Sequence, residues 1–342
     1  MQVLPLALFL VLLELTAGSF ISLWLLDVRG DTSHGFVIFQ GALYIIFALL
    51  TLGAMNAFAT PQIVQGYGLD AWWLGAQGPL TLAFFLAMIP WNVLLWLDRT
   101  PRKGAKAKKT DAEEASGSVS LLQTNAARLR LARFILGGLV SLLALVDLVT
   151  VGMAYRALAV SRLDGALVVV AFVCGTFALG GVMTAMLLGH WYLNTPTASG
   201  KPLEFVTTLT IAALALELVI SPFIGPATIH ATVQKVNVAP GTSIQTGNGH
   251  ITVSTPTPTS GQSQNNQQPT AAPRETPITN GALVALEYIL GFIAPLILAG
   301  VALYLTRGRS FQSATGMLYL CVSFLFLGEI LARGLLLFPI FS

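Results

Sequence analysis

Residues 321–338, CVSFLFLGEILARGLLLF, form a run apolar enough to lie in a bilayer, yet they hold Glu329 and Arg333 four residues apart. On a helix that spacing puts the acid and the base on one face. A soluble core segment of this length would be interrupted by more polar residues. The composition around the run agrees with a lipid environment. Of the 342 residues 55% are hydrophobic and 10% are charged, where soluble domains carry about 25% charged residues. Long apolar runs recur along the whole chain, so the expected class is an all-α integral membrane protein.

Working outward from that stretch, eight runs are long enough to cross roughly 30 Å of hydrocarbon at 1.5 Å per residue. They fall near residues 3–26, 36–59, 72–97, 134–155, 166–192, 205–228, 282–305 and 314–338. The first has no Lys or Arg before its apolar core and is interrupted by Glu14, so it reads as a retained membrane helix rather than a secretory signal. Trp72, Trp73, Trp91, Trp96, Trp191 and Tyr192 lie mostly near span ends, where amphipathic rings favour the headgroup level.

Basic residues predict the orientation. The loop 98–133 contains nine of the 18 Lys and Arg residues. Placing it in the cytoplasm also puts Arg29, Lys201, Arg307 and Arg309 there, and leaves Arg156, Arg162, Lys235 and Arg274 outside. The expected topology is an eight-transmembrane-helix bundle with both termini outside, periplasmic or extracellular, in the cell membrane. The basic loop reads first as a topology signal, with contact to anionic membrane lipid as its other use. A net charge of +3 gives no reason to expect a nucleic-acid partner.

Three regions follow: a six-helix membrane region over 1–228, an external loop over 229–281, and a two-helix membrane region over 282–342. The loop is rich in Thr, Pro and Gln and is expected to be largely disordered. Within it SIQTGNGHITVS reads as a hairpin turning at Asn248-Gly249.

The candidate functional residues are the ionisable groups inside spans: Glu14, Asp147, Glu217, Glu287, Glu329 and Arg333, with His190 at the inner end of span 5. A charge at the centre of a membrane helix costs about 2.5 to 3.5 kcal/mol on insertion scales. Each acid must therefore face the bundle interior, find a partner or hold a proton. Glu14 and Glu217 fall near mid-depth, Asp147 and Glu329 in outer halves, and Glu287 near an outer end. Arg333 falls one turn further out than Glu329. The pair reads equally as a local ion pair that neutralises both groups for insertion. His190, followed by Trp191 and Tyr192, also fits an interfacial anchor.

Such a set suits a proton path or the polar wall of a quinone site, because quinol oxidation releases protons next to an apolar ring and tail. Small residues in Cys174–Gly181, CGTFALGG, would let helices approach closely around a pocket. Bis-histidine haem is disfavoured, since His34, His230 and His250 fall in loops and leave only His190. Cys174 and Cys321 are far apart in apolar segments, and no clustered metal set or nucleotide fingerprint is present.

The last two spans, with Gly291 and Pro295, a short basic loop, and then Gly328, Glu329 and Arg333, resemble the C-terminal end of the NrfD and DMSO-reductase anchor (DmsC-like, PsrC-like) membrane subunits. That resemblance implies a haem-free, quinone-interacting anchor of a respiratory complex, using menaquinone or ubiquinone. It would dock iron–sulfur and catalytic redox subunits and would not catalyse alone. Buried carboxylates would carry the accompanying protons. Two other classes remain open from the residues: a proton- or ion-coupled transporter, and a structural or assembly subunit. A faint echo, Glu14-x-x-x-Gly18 and Glu287-x-x-x-Gly291, is the kind of internal similarity transporters show.

Overall fold

The computed structural model describes residues 3–59, 69–98, 118–158, 162–195, 198–224, 243–247, 250–254 and 281–337. Eight of its helices are long and apolar enough to cross a membrane. They are α1 (Val3–Arg29), α2 (His34–Phe58), α3 (Ala71–Leu97), α4 (Ser118–Tyr155), α5 (Arg162–Asn194), α6 (Lys201–Ile224), α7 (Gly281–Arg307) and α8 (Phe311–Leu337). The expected spans all appear, and the protein is a multi-pass helical membrane bundle. Local chemistry sets several ends. The Ser33 hydroxyl accepts from the Phe36 amide at the start of α2, and the Asp70 carboxylate accepts from the Trp72 amide at the start of α3, which satisfies donors that a helix N-terminus leaves free.

Two expectations shift. Span 4 was placed at 134–155, but α4 begins at Ser118, so the last part of the basic 98–133 segment is helix. Span 7 is helical but not uniform. Residues Tyr288–Ile293 form a π turn in which the Ala294 amide bonds the Ile289 carbonyl, five residues back. Pro295 follows at once. A helical proline has no amide hydrogen and crowds the carbonyl four residues before it. Here that carbonyl belongs to Gly291, and the widened turn accommodates the crowding.

The bundle repeats itself. α1 packs on α2, α2 on α3, α3 on α4 and α4 back on α1; α5–α8 show the same four contacts in the same order. The halves meet where α1 packs on α5 and α8, and α4 on α5. Because each half has an even number of helices, both thread the membrane in the same sense, as in parallel repeats about the membrane normal. The echo between spans 1 and 7 is therefore not the repeat; span 1 corresponds to span 5. α1 lies at the centre, with 89% of its apolar window buried against 33% for α7 and for α8.

Glycines set the closest crossings. A β-carbon on Gly180 of α5 would strike the Gly18 and Ser19 backbone of α1, and one on Gly328 of α8 would strike Gly291 of α7 and come within 2.9 Å of the Leu290 carbonyl carbon. Backbone cannot give way as a side-chain tip can, so these positions hold the helices at a distance only glycine allows.

A second unit, Ile229–Thr279, is separate by its contacts. Its described residues are two antiparallel strands, β1 (Ser243–Gly247) and β2 (His250–Ser254), with Gly247 opposite His250. This pairing is the one SIQTGNGHITVS implies. The turn itself at Asn248-Gly249 and the Thr/Pro/Gln tract expected to be disordered lie outside the described residues.

Placing alanine at Gly180 or Gly328 should lower stability by about 1–3 kcal/mol through overpacking, whereas alanine at Gly300, which has open space around it, should not. Thermal unfolding midpoints in detergent would show the difference.

Candidate functional site

The site is built around Arg333. Its β-carbon, like every helical one, leans toward the helix N-terminus, so the long side chain runs back along α8 into the bundle. Nε donates to Glu14 Oε1 at 2.9 Å, and Nη2 lies 2.8 Å from the same oxygen. Nη2 also lies 3.1 Å from Glu329 Oε2 and 3.8 Å from Glu217 Oε1, and donates to the Ala171 carbonyl at 3.4 Å. The guanidinium carbon stands 4.3 Å from the centre of the Phe172 ring, a cation–π placement. Arg333 is only 5% exposed, and the three glutamates are buried.

These acids come from α1, α6 and α8, far apart in sequence. Gly175 on α5 makes the room. A β-carbon there would lie 2.7 Å from Arg333 Nη2, 3.1 Å from Glu329 Oε1 and 3.3 Å from Glu217 Oε1. The expected local pair of Glu329 and Arg333 is thus one edge of a larger cluster. Its depth also differs from the simple expectation: the Arg333 Cα is a turn beyond Glu329, but its guanidinium returns to the level of the acids. One guanidinium balances one of three carboxylates. In hydrocarbon the remaining charge must be matched by protons or a cation, so the cluster is chemically suited to bind and release one or the other.

A cavity of about 130 Å³ adjoins the cluster. At roughly 10–15 Å³ per water on this measure it has room for several waters. Arg333 and Glu217 form its inner wall, and Glu287, Tyr288 and Ser221 stand along it, with Phe292 among the apolar lining. The Ser221 hydroxyl donates to the Tyr288 hydroxyl at 3.2 Å. The lining extends to Ile224, Val284 and Leu336, which belong to the end of α6, the start of α7 and the end of α8. The cavity therefore runs from the buried cluster toward one end of the bundle. Glu287, the residue before the π turn, stands part-way along it and is partly exposed.

Four of the five acids named from sequence thus gather around Arg333 or its cavity. The others do not. Asp147 lies on α4 in the first half, where its Oδ1 accepts from the Thr81 hydroxyl at 3.0 Å. His190 is exposed, with Nδ1 3.4 Å from the Tyr319 hydroxyl, which fits an interfacial anchor.

Sequence reasoning missed a second buried charge group. By sequence Arg133, Asp98 and His34 fall in loops, but Arg133 is 2% exposed and lies 3.0 Å from Asp27 Oδ2, with Asp98 bound on its other side. His34 is the first residue of α2 and meets the Leu95 and Asp98 backbone. These charges sit at span ends, where a hydropathy window cannot tell a buried residue from a loop residue. A signal was present in Asp27, an acid directly after the apolar Leu23–Leu26 at the end of span 1.

The chain matches no protein-family model and no curated protein.

Arg333→Met should cost about 3–5 kcal/mol, the penalty for leaving buried charges without their partner. Adding Glu14→Gln to that variant should recover part of the loss. Detergent melts of the single and double variants would show it, and equal destabilisation of both would argue against the pairing.

Proposed function

We propose that the chain is a quinone-interacting, haem-free membrane anchor subunit of a respiratory oxidoreductase complex, with the cavity beside Arg333 receiving the quinone headgroup. The observation that carries this reading is the meeting of an apolar cavity with convergent polar groups, Glu217, Glu287, Tyr288 and Arg333, backed by a buried carboxylate cluster. Small-molecule sites in helical bundles have this make-up. A quinol oxidised there gives up two electrons and two protons. The electrons would pass to iron–sulfur and catalytic redox subunits, since this chain would supply no redox centre. The protons would pass to the carboxylates, whose charge balance already calls for them.

The resemblance of the last two spans to NrfD-like anchors supports the same reading, and the structure gives its residues physical roles. Gly291 and Gly328 face each other at a close crossing, Pro295 follows the π turn and its carbonyl accepts from the Cys321 thiol at 3.3 Å, and Glu329 and Arg333 belong to the cluster. The excess of basic residues on one side supports a multi-pass cell-membrane protein with both termini outside, and so a cavity opening outward.

A second reading, a proton- or ion-coupled transporter, is favoured by the irregular α7 beside Glu287 and by the excess of acids over Arg333. Transporter sites often use interrupted helices near the bilayer centre.

Titration of the purified protein with a short-tailed quinone should give saturable binding. Ala332→Trp, which fills the cavity, should weaken it about tenfold or more, a loss of roughly 1.4 kcal/mol. No saturable quinone binding, together with stabilisation by sodium ions, would favour the transporter instead. In the assembled complex Glu329→Gln should lower quinol turnover without loss of assembly; unchanged turnover removes Glu329 from the chemistry. Cysteines introduced at either terminus should react with an impermeant thiol reagent added outside intact cells.

A further inference from the structure

α1 is enclosed by other helices, yet it carries buried polar residues along its length: Glu14, Thr16, Ser19, Ser22 and Asp27. At 1.5 Å per residue Glu14, Ser19, Ser22 and Asp27 are separated by steps of roughly 7.5, 4.5 and 7.5 Å along the axis. One end of this series is the Arg333 cluster. The other is the Asp27–Arg133–Asp98 group at the opposite end of the bundle.

Between them the neighbouring helices add polar groups. Tyr44 on α2 shares a 2.8 Å hydrogen bond with Thr184 on α5, whose hydroxyl reaches the Ser19 carbonyl at 3.5 Å. Gln40, one turn before Tyr44, is wholly buried, and neither its Oε1 nor its Nε2 has a hydrogen-bond partner among the described residues. The same holds for the Ser22 hydroxyl and for Oδ1 of Asn92, whose carboxamide packs against Gly41, next to Gln40. A buried polar group left unsatisfied costs about 1–3 kcal/mol. Gln40 and Asn92, brought together at Gly41, call for ordered water, which bridges two to four such groups.

We propose that water held by Ser22, Gln40, Asn92 and Tyr44 joins Glu14 to Asp27, so that α1 carries a proton file from the mid-depth Arg333 cluster to the end of the bundle opposite the cavity mouth. A proton accepted at Glu14 is matched by one released from Asp27, and each water or hydroxyl oxygen between them gains one hydrogen as it passes on another, so no charge is left inside; the Gln40 and Asn92 carboxamides only hold the water. The file rests on the proposed function in taking Glu14 as a proton acceptor, but its operation does not need quinone.

The test is proton uptake into vesicles containing the purified protein and a trapped pH-sensitive dye, driven by a potassium diffusion potential with valinomycin. Wild-type vesicles should take up protons faster than protein-free ones. Gln40→Leu and Tyr44→Phe should each slow uptake about tenfold, as expected for breaking a proton relay, while Thr306→Val at the far end of α7 should not. Wild-type uptake no faster than empty vesicles overturns the proposal. So does wild-type uptake by Gln40→Leu protein that elutes as a folded species. If Gln40→Leu does not fold, Tyr44→Phe decides, because it keeps the ring and removes only the hydroxyl. Quinone titration of the same samples separates the two ideas: quinone binding without proton uptake sinks the file alone, and proton uptake without quinone binding sinks the quinone reading alone.

Discussion

A guanidinium inside hydrocarbon must be surrounded by partners, and Arg333 imposes that requirement on three other helices. Glu14 of α1 and Glu217 of α6 are drawn to it, Glu329 is placed one turn below it, and α5 supplies the Ala171 carbonyl, the Phe172 ring and the space at Gly175. Each contact alone is modest. Leaving any charge without them is costly, because a buried charge that loses its partner stays uncompensated in a low-dielectric interior. The central position of α1 follows in the same terms. It is held near its middle by Arg333 through Glu14 and near its C-terminal end by Arg133 through Asp27.

The two arginines come from α8 and α4, the last helices of the two halves, yet one grips α1 near its middle and the other near its C-terminal end. The halves share a packing order but not a chemistry. Asp147 lies eight residues before the end of α4 (155 − 147), and Glu329 lies eight before the end of α8 (337 − 329). The first has a threonine for company and the second has the cluster. Two helices at matching places in the packing order thus carry their buried acid in different company. The glycine crossings at Gly18 with Gly180 and Gly291 with Gly328 bring backbones close enough for the cluster to close.

Much of this architecture was legible in the sequence. The eight spans follow from apolar length, which the bilayer dictates directly, and the paired strands around residues 248–249 follow from turn chemistry. That the buried acids must find partners was legible too, because charge in lipid is costly wherever it occurs. What could not be read was which acid meets which base. Glu329 and Arg333 share a face by helix period, but the contact of Arg333 with Glu14 spans more than three hundred residues and depends on helix order. Arg133 was lost for a different reason: near a span end, burial is decided by neighbouring helices and leaves no trace in local hydropathy. The repeat was misjudged because it lives in packing order, and the single Glu-x-x-x-Gly echo pointed to the wrong pair of helices.

The central claim is that the carboxylates around Arg333 exchange protons with a quinone in the adjoining cavity. Infrared difference spectroscopy of the reconstituted protein, on addition of quinone, reads carboxyl groups directly. The account predicts a carboxyl band that is lost or shifted in Glu217→Gln and Glu329→Gln and kept in Asp147→Asn. A wild-type spectrum with no carboxyl change, or a band that disappears only in Asp147→Asn, would contradict it.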